Sequence, residues 1–404
     1  MTWGPQEHTG LTPVEAGVTA AAGFRASGVA AGLKPSGKVD LALIVSDAPA
    51  GAAVTTTTNL VKAAPCVVTE RHAANGSARA VIVNAGNANA CTGSEGIEDA
   101  LATTREVGAL LGIAPEEVLP LSTGIIGVRL PLPALLGGIP AAVGALSPDG
   151  SDAAARAICT TDAFTKSVAY RAEDGQGACT IGGIAKGAGM IEPTMATMLC
   201  VITTDAPLGG RILAPMVRQA IERTFNRISV DACGSTNDTV VVLANGATDR
   251  PPGLATFQRA LEAVCADLAR KMVEDGEGAS RIAELTIGGA ASVDDATTLA
   301  RAVAASTLFR CMLAGADPNW GRILSAMGTS GVLFDPDRVH VTIGGVAVCR
   351  FGVVTSFDPA QASNAMRKAA VPIHVDLGLG DQQVTFLASD LTAEYVTFNT
   401  EYTT

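Results

Sequence analysis

The chain has 404 residues, enough material for a large buried core. Its 28 basic and 39 acidic side chains leave a net charge of −11 with no dense Lys/Arg run, which argues against nucleic acid or an anionic membrane as main partner. Hydrophobic residues make up 48% of the chain and aromatic ones only 4%, so the core has to come from Ala, Val, Leu and Ile. No run approaches the roughly 20 apolar residues that span a bilayer. The polar start MTWGPQEHTGLTPVEAG lacks the basic and apolar regions of a secretory signal. Nine cysteines are dispersed singly without a C-x-x-C pair, the pattern of buried free thiols in a reducing compartment. A cytoplasmic location is the expectation.

Along the chain, apolar runs alternate with helical patterns. VDLALIVS (39–46) and RAVIVNAG (79–86) read as strands, and GIEDALATTREVGALLG (96–112) as a helix closed by Gly112. EEVLPLSTG (116–124) is a short strand ending in a turn, and SDAAARAICTTD (151–162) opens a helix behind a Ser/Asp cap. APMVRQAIERTFNRI (214–228) predicts a helix and DTVVVLANG (238–246) a strand closed by Asn-Gly. Leu261, Val264, Cys265, Leu268 and Met272 share one helical face, and that helix stops at the acidic turn EDGEGAS (274–280). The remainder reads as the strand IAELTIGG, the helix VDDATTLARAVAASTLF and the strands VHVTIGGVAVC, PIHVDLG and QQVTFLAS. There is no internal repeat. The alternation predicts an α/β fold, and the strand-rich end argues against a purely parallel, doubly wound sheet.

Familiar chemistries find little support. GGIAKGAGM lacks the Ser/Thr after lysine that a phosphate loop uses on magnesium. His8, His72, His340 and His374 are far apart and adjoin no Cys or carboxylate cluster, so no metal site is expected. His374 lies inside a strand pattern, which suits a structural role better than a Ser-His-Asp triad. Catalysis without a histidine base remains. A threonine whose own backbone nitrogen is a free amine can serve as its own base. With a reference pKa near 7.7–8.0, about a tenth of such an amine is neutral at pH 7. Thr197, in the apolar run KGAGMIEPTMATMLCVITTDA, meets that requirement only if the Ala196–Thr197 bond is cut. On the residues alone, a satisfied strand threonine and a nucleophile both stay open.

GGIAKGAGMIEPTMATML followed by ITTDA resembles the self-cleavage segment of the bifunctional ornithine acetyltransferases (glutamate N-acetyltransferases) of arginine biosynthesis. VNAGNANACTG, LSTGIIG, CTTD, STNDT, EGAS, DPNWGRI and the tail DLTAEYVTFNTEYTT are similar to that family in its order, from about Gly17 to the C-terminus. The resemblance implies a layered α/β/β/α fold shared with related self-cleaving aminopeptidases. It implies cleavage into fragments 1–196 and 197–404 that stay together as an α2β2 heterotetramer, with Thr197 as nucleophile. Thr123 and Gly124 match the oxyanion-stabilising pair. Thr160, Lys186, Glu277, Asn399 and Thr404 match substrate contacts, as does Thr197 itself.

Taken singly these residues have plainer readings: a cap for Thr160, solvated charges for Lys186 and Glu277, a strand-ending turn for Thr123-Gly124. Thr194, Ser280 and the ending FNTEYTT depart from the family's usual residues without removing a matched one. DPNWGRI carries no evident chemistry and reads as a packed turn. The implied reaction moves acetyl from N2-acetyl-L-ornithine to L-glutamate through an acetyl-threonyl enzyme, without metal or bound cofactor. Some members take acetyl-CoA as donor, and the motifs do not decide that. An amidase or aminopeptidase passing the acyl group to water, a secondary-pathway paralogue and an uncleaved binding protein stay open alternatives.

Overall fold

The computed structural model describes residues 10–192 and 198–401. Nine strands form the first sheet: β1 (Leu11–Pro13), β2 (Phe24–Val29), β3 (Leu41–Thr56), β4 (Ser77–Asn87), β5 (Val118–Ile125), β6 (Lys166–Glu173), β7 (Ala178–Lys186), β8 (Leu199–Thr204) and, after the short β9 (Ile228–Ser229), β10 (Thr239–Ala244). Its order is β1-β6-β7-β8-β10-β3-β4-β5, with β2 on β3. Among the described residues its parallel pairs are β8–β10 and β4–β5.

The second sheet holds β9 with β11 (Ile282–Ala290), β12 (His340–Ile343), β13 (Val346–Arg350), β14 (Val353–Val354), β15 (Ala370–Asp376) and β16 (Gln382–Ser389). Around the sheets stand α1 (Ala64–His72), α2 (Gly93–Leu111), α3 (Leu132–Gly144), α4 (Ser151–Ile158), α5 (Gly210–Arg223), α6 (Leu254–Glu274), α7 (Val293–Ala305), α8 (Thr307–Ala314), α9 (Gly321–Gly328), α10 (Pro359–Ala365) and α11 (Ala393–Glu401).

Strand alternation explains the layers, because successive side chains of one strand point to opposite faces. Ala42, Ile44, Val81, Val83, Val201 and Val241 share one core with α4. Their neighbours Leu41, Leu43, Ile82 and Val118 meet α2 and α3 on the other face. Cys200, Ile202, Val240 and Val242 meet α5 and α6. Helices α2, α3, α5 and α6 therefore cover one face of the first sheet and α4 the other, the layered α/β arrangement expected of this sequence. The second sheet packs Leu285, Ile373, Val375 and Phe386 against α7 to α9, and Ile228, Ile282 and Leu387 tie it to the α6 core.

The 39–46 strand runs on to Thr56, with a register shift against β4 between Val45 and Ala50. The 339–349 run is a hairpin, because Gly344 and Gly345 take φ of 58° and 87° and turn the chain between β12 and β13. The 293–309 helix divides at Ser306, whose extended backbone ends α7 and whose hydroxyl caps α8 by accepting from Phe309 N–H. No side chain caps α4; Ser151 instead accepts from the distant Val18 N–H at 3.1 Å. Gly112 does close α2, at φ 67°. All nine cysteines are free, but Cys91, Cys233 and Cys311 are exposed, which corrects the expectation of a wholly buried set. DPNWGRI is a turn into α9, where Arg322 Nη1 donates to Leu308 O at 2.9 Å. No helix among the described residues is long and apolar enough to cross a membrane.

Candidate active site

A pocket of about 120 Å³ opens where β5 and β7 end, beside the 231–237 loop, the turn after α6, and α11. Thr123, Gly124, Thr160, Lys186, Glu277 and Asn399 all line it. Ala196, Thr197 and Thr404 lie outside the described residues.

The first wall is the end of β5. Gly124 pairs with Gly86 of β4 and has φ +133°, a conformation L side chains rarely adopt. A Cβ there would stand 2.3 Å from the Gly86 carbonyl carbon and 2.5 Å from Asn87 N, so backbone contact alone requires glycine. Asn237 Nδ2 clamps this wall from the side, donating to Ala88 O at 2.6 Å and Ser122 O at 2.8 Å. Thr123 is 3% exposed, and its hydroxyl accepts from Lys186 Nζ at 3.5 Å.

The second wall is cationic. Lys186 is 3% exposed, so it is not a solvated charge. Asp162 lies behind it: Oδ1 accepts from Lys166 Nζ at 2.7 Å and Gly187 N–H at 2.8 Å. Oδ2 accepts from Thr160 N–H at 2.9 Å and stands 4.0 Å from Lys186 Nζ. Burial alone would raise the Asp162 acid, but Lys186 and Lys166 outweigh it and hold the carboxyl down to about 2. Lys166, wholly buried, also donates to Asp275 Oδ2 at 2.5 Å. Desolvation disfavours its ammonium, yet Asp162 and Asp275 reverse that and keep its pKa above the ordinary lysine value.

Opposite lies an acidic wall. Glu277 N–H donates to Ala188 O at 2.7 Å, bringing the carboxylate over Gly189, where a Cβ would come within 2.4 Å of Glu277 Oε2. Asn399 Nδ2 on α11 donates to Glu277 Oε2 at 3.1 Å. Asp231 accepts from Met190 N–H and Ile191 N–H, at 2.5 and 2.9 Å, and from the Tyr395 hydroxyl at 3.1 Å. Burial and then the Asp231 charge push the Tyr395 phenol above its ordinary pKa. Met190 and Ala232 take left-handed backbone, φ 57° and 60°, strain of the kind that gathers at functional sites.

Beyond the undescribed junction, Met198 N–H donates to Asp238 Oδ1 at 2.9 Å and Met198 O accepts from Thr239 N–H at 3.0 Å. Asp238 is fully buried, and burial raises its carboxyl well above the usual range. The sequence singled out neither Asp238 nor Asp162, Lys166, Asp231, Asn237, Asp275 and Tyr395. Three of the family-like motifs, CTTD, STNDT and the tail DLTAEYVTFNTEYTT, contain four of them, so the signal was there for Asp162, Asn237, Asp238 and Tyr395.

A small cleft at strand ends lined by a buried lysine and by carboxylates suits an enzyme for small charged molecules. The ArgJ family model matches residues 25–404. The protein named arginine biosynthesis bifunctional protein ArgJ in Thermobifida fusca is 46% identical over 96% of this chain and 100% of its own length. Its namesake in Symbiobacterium thermophilum is 47% identical over 96% of this chain and 98% of its own. A solved ornithine acetyltransferase chain from Mycobacterium tuberculosis, complexed with ornithine, is 45% identical; the match covers 47% of this chain and 100% of that one, with a TM-score of 0.43. This chain belongs to the ArgJ family, and it is an acetyltransferase of arginine biosynthesis.

Proposed function

We propose that the protein transfers acetyl from N2-acetyl-L-ornithine to L-glutamate in two steps, with Thr197 as nucleophile after cleavage of the Ala196–Thr197 bond. The Thr197 hydroxyl oxygen attacks the acetyl carbonyl carbon and its own α-amine takes the proton. The tetrahedral oxyanion forms beside Thr123 and Gly124, where a well-aimed donor contributes about 2.7–4 kcal/mol. The C–N bond breaks, ornithine leaves with the proton, and an acetyl ester remains on Thr197. The glutamate amine then attacks that ester, releasing N-acetylglutamate and restoring the hydroxyl. Lys186 holds the α-carboxylate that donor and acceptor share, while Thr160, Glu277, Asn399 and Thr404 complete the contacts.

The observation carrying this reading is the convergence of Thr123, Gly124, Thr160, Lys186, Glu277 and Asn399 on one pocket. They are dispersed over 277 positions of the chain (399 − 123 + 1). Fragments 1–196 and 197–404 would share the first sheet, since β8 and β10 hydrogen-bond to β7 and β3. That supports fragments that stay together after cleavage, as the proposed α2β2 heterotetramer requires. Nine free thiols support a cytoplasmic location. No metal or bound cofactor enters the scheme, and acetyl-CoA enters only as an alternative donor.

The test pairs intact-mass spectrometry with an exchange assay. Wild type is expected as two fragments and Thr197→Ala as one full-length chain. Ornithine release from N-acetylornithine is expected to need glutamate; equal release without it would make the enzyme an amidase.

A further inference from the structure

We propose that Lys166 is a positioning residue: by occupying Asp162 it keeps the Lys186 ammonium available for a substrate carboxylate. This rests on reading Lys186 as the carboxylate contact. Two lysines compete for one buried acid. Lys166 Nζ bonds Asp162 at 2.7 Å, and Lys186 stands off at 4.0 Å, beyond hydrogen-bond distance. Among the described residues, the one hydrogen bond made by Lys186 Nζ is the long one to Thr123 Oγ1, at 3.5 Å. A third ammonium, Lys34, is occupied by carbonyls, donating to Val39 O at 2.7 Å and Ala157 O at 3.4 Å. Asp162 and Lys166 have 0% exposed side chains and Lys186 only 3%, so water cannot screen the choice.

Removing the Lys166 charge leaves Lys186 as the nearest ammonium to Asp162. A side-chain shift of about 1 Å would close that ion pair and take Lys186 out of the pocket. Asp275, the second partner of Lys166, lies two residues before Glu277, so a purely structural role for Lys166 would act through Asp275 as well. The two acids can be separated by experiment.

Calorimetric titration with L-glutamate reads binding whether or not acetyl transfer occurs, and KM and kcat are measured alongside. Lys166→Met is expected to weaken glutamate binding at least about tenfold, about 1.4 kcal/mol, with kcat changed less than KM. Adding Asp162→Asn should return affinity to within about threefold of wild type, a difference under about 0.7 kcal/mol, because Lys186 loses its new partner. Adding Asp275→Asn instead should not. Rescue by both second changes, by neither, or an unaltered affinity in Lys166→Met overturns the proposal. Should Lys166→Met not fold, Lys166→Gln keeps two donors without the charge, and unchanged glutamate binding in that variant overturns it equally. Wild type that binds glutamate but moves no acetyl would overturn the functional reading and leave this one standing. Wild type in which glutamate neither binds nor accepts acetyl from the acetylated enzyme would overturn both.

Discussion

Replacing Gly124 with alanine tests whether the end of β5 is shaped by backbone contact. Two terms add. At φ +133° a residue with a side chain stands in a region that costs about 1–3 kcal/mol. The new methyl also meets the Gly86 carbonyl carbon at 2.3 Å and Asn87 N at 2.5 Å, and backbone cannot rotate away, so overpacking adds about 1–3 kcal/mol. Gly127, three residues on, is the control. Its φ is +81° and nothing lies within 4 Å of the place a methyl would take, so alanine there meets only the left-handed penalty of about 1–2 kcal/mol. Urea unfolding at fixed protein concentration should show Gly124→Ala as the more destabilised by about 1–3 kcal/mol. The clash can be relieved only by moving β5 from β4, which shifts the oxyanion wall, so kcat should fall about 10²–10³-fold while Gly127→Ala stays near wild type. Equal destabilisation of the two variants, or full kcat in Gly124→Ala, would refute the reasoning.

Acid stability should report on Asp162. Its folded pKa of about 2 lies below the ordinary aspartate value, so its contribution is present above about pH 4 and lost as pH falls through 2. Wild type should lose about 2 kcal/mol across that window that Asp162→Asn does not, read from unfolding midpoints at stepped pH. Tyr395→Phe removes the hydrogen bond from α11 to Asp231 and should cost about 1 kcal/mol while raising KM through the loosened Asn399. Glu277→Gln keeps the contact with Asn399 but removes the charge. If Glu277 pairs with a substrate amine, its KM should rise about tenfold or more with little change in melting temperature. An unchanged KM would remove Glu277 from the substrate contacts.

How much of this could be read from the residues depended on the length scale of each signal. The α6 face and strand β16 were legible because apolar spacing is local, and all five residues of the α6 stripe are buried. Helix α3 was not foreseen: LPALLGGIPAAVG holds Gly137, Gly138 and Pro140, which read as breakers, yet packing of Leu135 and Ile139 overrides them. The Gly344-Gly345 turn was overlooked because apolar residues flank it on both sides. In the site, long motifs carried Thr123, Gly124, Thr160, Lys186, Glu277 and Asn399. The acids and lysine that hold them were missed because each, alone, is indistinguishable from a solvated charge. Lys166 meets Asp275 across 109 positions and Tyr395 meets Asp231 across 164, separations that no local pattern encodes.

The sheet order has a bearing on how such a molecule must be made. Strands on either side of residue 196 are interleaved, with β8 and β10 inserted between β7 and β3. Neither portion owns the whole first sheet, although the second lies entirely after residue 196, and each alone would present naked edges of the first, which invite aggregation. Co-expressing the two portions as separate genes is therefore expected to succeed only if they meet while still unfolded.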